Sequence, residues 1–320
     1  MKAESKNSFL LAVAGYFFLA GIAILLIRAF FWGHIAAFAG IRSIPVDKIP
    51  LFKLNLLRFI YLYAFLHFLL GALSFWVFKT RDKIKAWLSM YEEESHPSSF
   101  LLFFWSSISG LYLFGLFLIP MNIFKDRIFV FREDNVFETM TVILFIISAV
   151  LLLRSSLIVK QINRLRHEGA YRKVFFIYIG IAVVLLALAG EEISWGQRLF
   201  HVQTPEFYAE LNRQKETNIH NLVEMGFTPM YALASVIFIV SVLSVWLFYW
   251  KDRSVFSRFV LPHPELYILA TMMAIAGCGM RYGELFEELL SIFALFYSIR
   301  IIKFCRFQKN NLMAAPGPSR

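Results

Sequence analysis

The chain alternates between long, nearly uncharged apolar stretches and short polar segments. The clearest stretch, VFFIYIGIAVVLLALAG at 174–190, contains no charged residue. About eight such stretches follow one another, at 9–31, 55–78, 99–123, 136–158, 174–190, 227–250, 265–280 and 285–302. A bilayer core about 30 Å thick requires about 20 mostly apolar residues per helix, whereas barrel strands would alternate in runs of about ten. The pattern therefore predicts an all-α, polytopic integral membrane protein with about eight transmembrane helices.

These stretches extend over nearly the whole chain, which predicts one transmembrane helical domain at 1–310 and a flexible C-terminal tail at 311–320. The longest loop between them, 191–226, is expected to contain short helices. One of these is TPEFYAELNRQ, with Thr204 as its N-cap and Pro205 at its first helical position. The last two apolar stretches are short and close together, so we expect them to form a tight hairpin.

Composition and charge agree with a membrane protein. The mean hydropathy is +0.63 and 17% of the residues are charged, against about 25% in soluble domains. The net charge of +10 comes without a basic stripe of spaced aromatic residues, so we expect no nucleic-acid partner. Most loop lysines and arginines fall in one alternating set of loops, and the positive-inside rule then places both termini in the cytoplasm.

Carboxylates gather instead at span ends on the other predicted side. The first cluster is REDNVFET at 132–139, where Glu138 lies three residues after Asn135. This spacing is typical of a helix capping box, which accounts for Glu138 without any catalytic role. Glu133 and Asp134 are left over, although acids near a helix N-terminus are also favoured by the helix dipole.

The second cluster is GEEISWGQR at 190–198. If the helix continues past Gly190, then Glu191, Trp195 and Arg198 lie on one face. An interfacial belt, with Trp at headgroup level and Arg reaching to water, is the ordinary interpretation. However, the acids Glu191 and Glu192 at a helix C-terminus oppose the helix dipole, so we expect an arginine or a metal ion beside them.

The third cluster is QKETNIHNL at 214–222. Glu216 and His220 are four residues apart, a spacing that brings a carboxylate and an imidazole to one ion or one substrate if the segment is helical. Asn218 and Asn221 add neutral hydrogen-bonding groups between and beside them. A single Glu-x-x-x-His pair is weak evidence alone, and it gains weight from its neighbours.

The fourth cluster is RYGELFEELL at 281–290, where Arg281, Glu284 and Glu287 are helical neighbours. Ionisable groups within a span are costly and usually face a cavity or a partner, although a structural lock between helices would also explain them. All four clusters emerge on the same predicted side. The sequence therefore predicts one polar pocket at the outer membrane–water boundary.

Four segments of the chain carry a family resemblance: EDNVFETMTVILF, GEEISWGQRLF, TPEFYAELNRQKETNIHNL and RYGELFEE. They resemble a set of bacterial multi-spanning membrane proteins with an EEISWGQR segment followed about twenty residues later by ETNLHN. The match covers roughly residues 130–290. The resemblance implies a polytopic helical fold in the bacterial cytoplasmic (inner) membrane and a functional pocket at these motifs, and it implies no particular reaction.

The leading hypothesis is a membrane-embedded enzyme that acts on a lipid or lipid-linked headgroup at the extracytoplasmic face. The candidate catalytic residues are Glu191, Glu192, Glu216 and His220. The candidate substrate-binding residues are Trp195, Gln197, Arg198, Asn218, Asn221, Arg281 and Glu138. A divalent cation, Mg²⁺, Mn²⁺ or Ca²⁺, suits such an oxygen-rich set, and its candidate ligands are Glu191, Glu216, His220, Glu284 and Glu287.

Two alternatives from other classes stay open. A transporter or ion-coupled carrier would place ionisable residues in discontinuous helices, usually with an internal repeat, and no convincing repeat is visible. A non-catalytic membrane scaffold would use the same polar clusters as locks between helices. Membrane lipid is the expected partner under the enzyme hypothesis.

Overall fold

The computed structural model describes residues 2–38, 49–89, 100–118, 136–197, 203–207, 233, 235–236, 240, 254–278 and 283–314. All regular structure within these ranges is helical, and no strand occurs among them. The all-α prediction is therefore confirmed for the described part of the chain.

The helices are named here in chain order. They are α1 Lys2–Phe38, α2 Ile49–Ser89, α3 Phe100–Leu118, α4 Val136–Arg166, α5 Gly169–Glu192, α6 Val255–Val260, α7 Tyr267–Cys278 and α8 Gly283–Ala314. Short 3₁₀ turns lie at Ser194–Gly196 and Pro264–Leu266. Helix α8 ends four residues inside the predicted C-terminal tail.

Six segments of the described residues are long and apolar enough to cross a membrane. They are Phe9–Ile35, Ile49–Ser89, Phe100–Phe117, Glu138–Arg166, Gly169–Glu192 and Val255–Gly277. The predicted span 227–250 lies largely outside the described residues, and the predicted span 285–302 lies within α8, which carries Glu287, Glu288 and Arg300. The protein is thus a helical membrane protein, and the number of eight spans stays a prediction.

The expected hairpin connection at 279–282 lies outside the described residues, and the two helices on either side of it differ in length. Helix α7 has 12 residues, but α8 has 32 and continues past the predicted end at 302. The predicted span ends at 302, just before Lys303 and Arg306. Lysine and arginine are good helix formers, so the helix continues after the apolar stretch has ended.

The chain forms two compact units, and unit 1 consists of Met1–Trp87 and Leu111–Asn135. Its described core includes Phe52, Leu56 and Ile60 on one face of α2. His67 is also buried there, and its Nδ1 donates a hydrogen bond to the Tyr63 carbonyl oxygen at 2.9 Å. His67 is therefore a buried packing residue whose Nδ1 has a hydrogen-bond partner within its own helix.

Unit 2 consists of Leu88–Gly110 and Val136–Arg320, and α4 and α5 form its central hairpin. Only His167 and Glu168 separate the two helices, and His167 has a left-handed φ of 55° that turns the chain back. Helix α8 packs along α4. The start of α4 therefore lies at the same end of the hairpin as the end of α5.

Small side chains at seven-residue intervals let α5 and α8 approach α4 closely. Each of the following is at most 4% exposed: Thr141, Ser148 and Ser155 in α4, Ala182 and Ala189 in α5, and Ser291, Ser298 and Cys305 in α8. A seven-residue repeat is the period of helices that pack side by side. Small residues at that seam replace the hydrophobic driving force that lipid does not provide.

A polar junction is buried where α6 meets this bundle. The Tyr178 hydroxyl of α5 donates to the Phe259 carbonyl oxygen at 2.5 Å, and the Tyr297 hydroxyl of α8 donates to the Val260 carbonyl oxygen at 2.6 Å. The two tyrosines thereby satisfy carbonyls that the end of α6 leaves open. Burial raises the pKa of the neighbouring Cys305 thiol to about 12, so this thiol stays neutral.

We predict that Ser298→Leu destabilises the protein far more than Ser298→Ala. The alanine variant loses only the hydrogen bond from the Ser298 hydroxyl to the Ala294 carbonyl oxygen, which is worth about 1 kcal/mol. The leucine variant overfills the seam, which costs about 1–3 kcal/mol or more. Thermal unfolding midpoints in detergent measure the difference, and equal midpoints would contradict close packing at Ser298.

Candidate functional site

Carboxyl groups from three helix ends meet at one end of unit 2. Glu138 lies in the first turn of α4, and Glu191 and Glu192 are the last residues of α5. Glu287 and Glu288 lie one turn inside α8. The electrostatic interactions of Glu192 are with Glu287, then Glu138, Glu288 and Glu191. These five residues are the carboxyl cluster, and it brings together three of the four sequence clusters.

The carboxyl cluster lies partly out of water. Glu288 is only 6% exposed, and Glu138, Glu191, Glu192 and Glu287 are half-exposed or less. Like charges at short range repel strongly where the dielectric constant is low. A carboxyl group under such repulsion is favoured by a bound cation or by protonation, and carboxyl groups in this kind of environment serve as general acids or bases in enzymes.

The chain leaves α5 through a left-handed turn. Helical geometry ends at Glu192, and Ser194, Trp195 and Gly196 have φ values of 47°, 54° and 78°. The helix continues past Gly190 as far as Glu192, so the condition that would place Glu191, Trp195 and Arg198 on one helical face is not met at Trp195. A left-handed conformation costs a non-glycine residue of order 1–3 kcal/mol and persists only where its surroundings impose it.

Two contacts impose this conformation on Trp195. Its indole Nε1 donates a hydrogen bond to Glu191 Oε1 at 2.6 Å. Its ring also covers Gly190, where an added Cβ would lie 2.9 Å from the ring carbons Cε3 and Cζ3. The indole remains 56% exposed. Glu191 and Trp195 thus form a pair through a tight turn, whereas the partner expected beside Glu191 was an arginine or a metal ion.

Gln197 continues the site toward the predicted outer loop. Its side-chain amide donates a hydrogen bond to the Thr204 hydroxyl. Helical residues begin at Glu206, so Pro205 precedes the helix instead of occupying its first position. Helix ends vary by one or two residues with the definition used, so the predicted helix start is off by about one residue.

Several predicted site residues fall outside the described part of the chain. They are Arg198, Glu216, Asn218, His220, Asn221 and Arg281. The backbone of Glu284 belongs to α8, but its side chain is also outside the description. Among the side chains that are described, no three His, Cys, Asp or Glu residues lie close enough to hold one metal ion. The five-ligand metal set stays a prediction.

Glu288 belongs to the fourth sequence cluster but was not among the candidate site residues. Glu288 is the most buried member of the carboxyl cluster, and it interacts with Glu192. Its position beside Glu287 in an otherwise apolar stretch was the available signal. A pair of adjacent acids places two carboxyls about 100° apart on a helix, so both can reach a site between two neighbouring helices.

We predict that Gly190→Ala displaces the Trp195 indole, because the added methyl group overlaps the ring. The fluorescence contribution of Trp195, obtained by subtracting the Trp195→Phe spectrum, should shift to longer wavelength in the alanine variant. Gly180→Ala is the matched control on the same helix, since nothing lies within 4 Å of its added Cβ. An unchanged Trp195 signal in Gly190→Ala would contradict the described turn.

Comparison of the chain with protein-family models, with curated proteins and with solved structures finds no match. The resemblance to bacterial membrane proteins with EEISWGQR and ETNLHN segments stays a prediction. The geometry that bears on function is the carboxyl cluster and the Glu191–Trp195 pair beside it.

Proposed function

We propose that the protein is a membrane-embedded enzyme that acts on a lipid or lipid-linked headgroup. The observation that carries this proposal is the carboxyl cluster, in which Glu192 interacts electrostatically with carboxyl groups of α4, α5 and α8. The cluster lies where these helices begin or end, and the ends of membrane-spanning helices are the positions that meet lipid headgroups. A lipid substrate reaches such a site by lateral diffusion, without leaving the bilayer.

Glu192 is the proposed general acid or base. It lies among four other carboxyls, so a proton that it gives up or accepts can be shared within the cluster. The indole of Trp195 donates a hydrogen bond to Glu191. This contact would fix the Glu191 carboxylate at the entrance of the proposed site. The half-exposed indole offers an aromatic face to a headgroup, and a cationic headgroup would gain from that face and from the carboxylates.

Residues of the predicted outer loop complete the proposed site. Glu216 and His220 would supply a second acid–base pair, and Arg198 and Arg281 would bind an anionic part of the substrate. Asn218 and Asn221 would add hydrogen bonds to the headgroup. Mg²⁺, Mn²⁺ or Ca²⁺ held by Glu191, Glu216, His220, Glu284 and Glu287 is the proposed metal-assisted form of this chemistry.

The proposed topology has eight spans with both termini in the cytoplasm of a bacterial cell and the carboxyl cluster on the outer side of the inner membrane. It is supported by the lysines and arginines at the end of unit 2 opposite the cluster, which the positive-inside rule assigns to the cytoplasm. Cysteine-accessibility labelling of a single cysteine at Glu168 and of one at Trp195 tests this arrangement.

Ion-coupled transport is the second candidate function, and one observation favours it. The apolar segment Val255–Gly277 is interrupted between α6 and α7, and beside the break Glu265 and Arg300 are 1% and 5% exposed. Buried ionisable groups at a broken helix are typical of carriers. Substrate or ion uptake by proteoliposomes would favour transport. If single charge removals affect only stability, the scaffold alternative is favoured.

We predict that Glu192→Gln and Glu287→Gln abolish a lipid conversion that the wild-type protein performs. Purified protein is incubated in liposomes made from total lipids of the expressing host, with and without Mg²⁺, and the products are identified by mass spectrometry. Loss of a general acid–base group lowers the rate by about 100-fold or more. Glu168→Gln, an exposed acid at the opposite end of the hairpin, is the control and should retain the wild-type rate.

Two results would contradict the enzyme proposal. One is the absence of any lipid product from the wild-type protein with and without added divalent cation. The other is equal product formation by the wild-type, Glu192→Gln and Glu287→Gln proteins. Retention volumes on size-exclusion chromatography show in each case that the variants fold.

A further inference from the structure

The end of unit 2 opposite the carboxyl cluster is basic. Helix α4 ends with Arg164 and Arg166, and α5 begins with Arg172 and Lys173 in its first turns. All four side chains are exposed, and they are called the basic end here. Residues His167 and Glu168 connect α4 to α5. The Glu168 carboxylate lies 3.6 Å from the Arg166 guanidinium.

Tyr171 marks a defined site at this basic end. The residue is only 6% exposed, and its electrostatic neighbours are Arg166, Glu168 and Arg258. Arg258 comes from α6, which packs against α5. The Tyr171 ring meets the Phe259 ring edge-on with centroids 5.5 Å apart, which fixes α6 against the start of α5. Arg258 precedes Phe259 in α6, so the ring contact brings its helix against the start of α5, and the guanidinium groups of Arg166 and Arg258 both interact electrostatically with Tyr171.

These donors suit a phosphate group. A guanidinium group presents a rigid fork of N–H donors that matches phosphate oxygens, and a phenol hydroxyl adds a further donor. The ion pair of Arg166 with Glu168 is half-exposed, and exposed pairs of this kind contribute at most about 1 kcal/mol. The pair therefore does not prevent Arg166 from turning to a more highly charged ligand.

The surroundings point to a lipid as the source of the phosphate. Leu165, beside Arg166, is 55% exposed, and Phe176, one turn after Arg172, is 57% exposed. Exposed apolar side chains next to cations occur where a helix passes from acyl chains to headgroups. We propose that Arg166, Arg258 and Tyr171 form a binding site for the phosphate of an anionic phospholipid. This site is independent of the reaction proposed for the carboxyl cluster.

The test uses the full-length protein in nanodiscs of phosphatidylcholine with a minor fraction of phosphatidylglycerol. Native mass spectrometry counts the phosphatidylglycerol molecules that stay bound, and a titration gives their apparent affinity. We expect one retained lipid on the wild-type protein. Arg166→Gln with Arg258→Gln should weaken its binding by about tenfold or more, since each cation near an anionic headgroup contributes appreciably.

Further variants separate a built site from general charge attraction. Lys83→Gln with Lys85→Gln removes two exposed cations of α2 and should change the affinity less than about twofold. Arg166→Lys with Arg258→Lys keeps the charge without the guanidinium fork and should also weaken binding, which keeps the test valid if the glutamine variant does not fold. Tyr171→Phe should give a smaller loss than the double arginine variants.

Three outcomes would overturn the proposal. The first is equal phosphatidylglycerol retention by the wild-type protein and by both double arginine variants. The second is an equal loss in the α2 control, which would indicate charge attraction alone. The third is displacement of the retained lipid by millimolar inorganic phosphate, which would indicate a site for free phosphate.

Discussion

Close packing of α5 and α8 against α4 is the constraint on which the rest of unit 2 depends. In lipid the hydrophobic effect does not draw helices together, so association relies on dispersion contacts between closely spaced backbones. The small buried residues at seven-residue intervals, such as Ser148, Ala182 and Ser298, permit this spacing. Because the helices lie side by side along their length, the start of α4, the end of α5 and the start of α8 reach the same end. The carboxyl cluster is a consequence of that packing.

The same arrangement explains which helix bears an electrostatic cost. Helix α4 has Glu138 in its first turn and Arg166 in its last, and both charges are favoured by the helix dipole. Helix α5 runs the other way, so Arg172 lies near its positive end and Glu192 at its negative end. The charges of α5 therefore match those of its neighbour α4 at each end of the bundle, basic at one end and acidic at the other. This match opposes the helix dipole of α5 and lowers the stability of that helix. Such a placement indicates that the ends are specified by what they bind or face.

The sequence predicted the helical class because it depends on apolar length. It also predicted one pocket from four polar clusters on the basis of helix direction, and residues of three of these clusters interact electrostatically in the described part of the chain. It did not predict the turn at Ser194 and Trp195, since left-handed geometry is seldom visible in residues other than glycine. The burial of Glu288 was not predicted, because which of two adjacent acids is buried depends on the rotation of α8 about its axis. The electrostatic interaction of Arg258 with Tyr171 was also not predicted, because α6 meets α5 only through tertiary packing.

The geometry of Trp195 distinguishes two interpretations of the outer end of α5. An interfacial belt requires only that an indole lie at headgroup depth, and any backbone conformation that exposes the ring satisfies it. Here the ring is instead held by a hydrogen bond to Glu191 and by close contact with Gly190, and the backbone is left-handed. A residue that is only an anchor needs neither the strain nor the carboxylate partner. The described contacts therefore favour Trp195 as a positioned residue beside the carboxyl cluster, one that fixes Glu191 at the entrance and presents an aromatic face to whatever approaches Glu192.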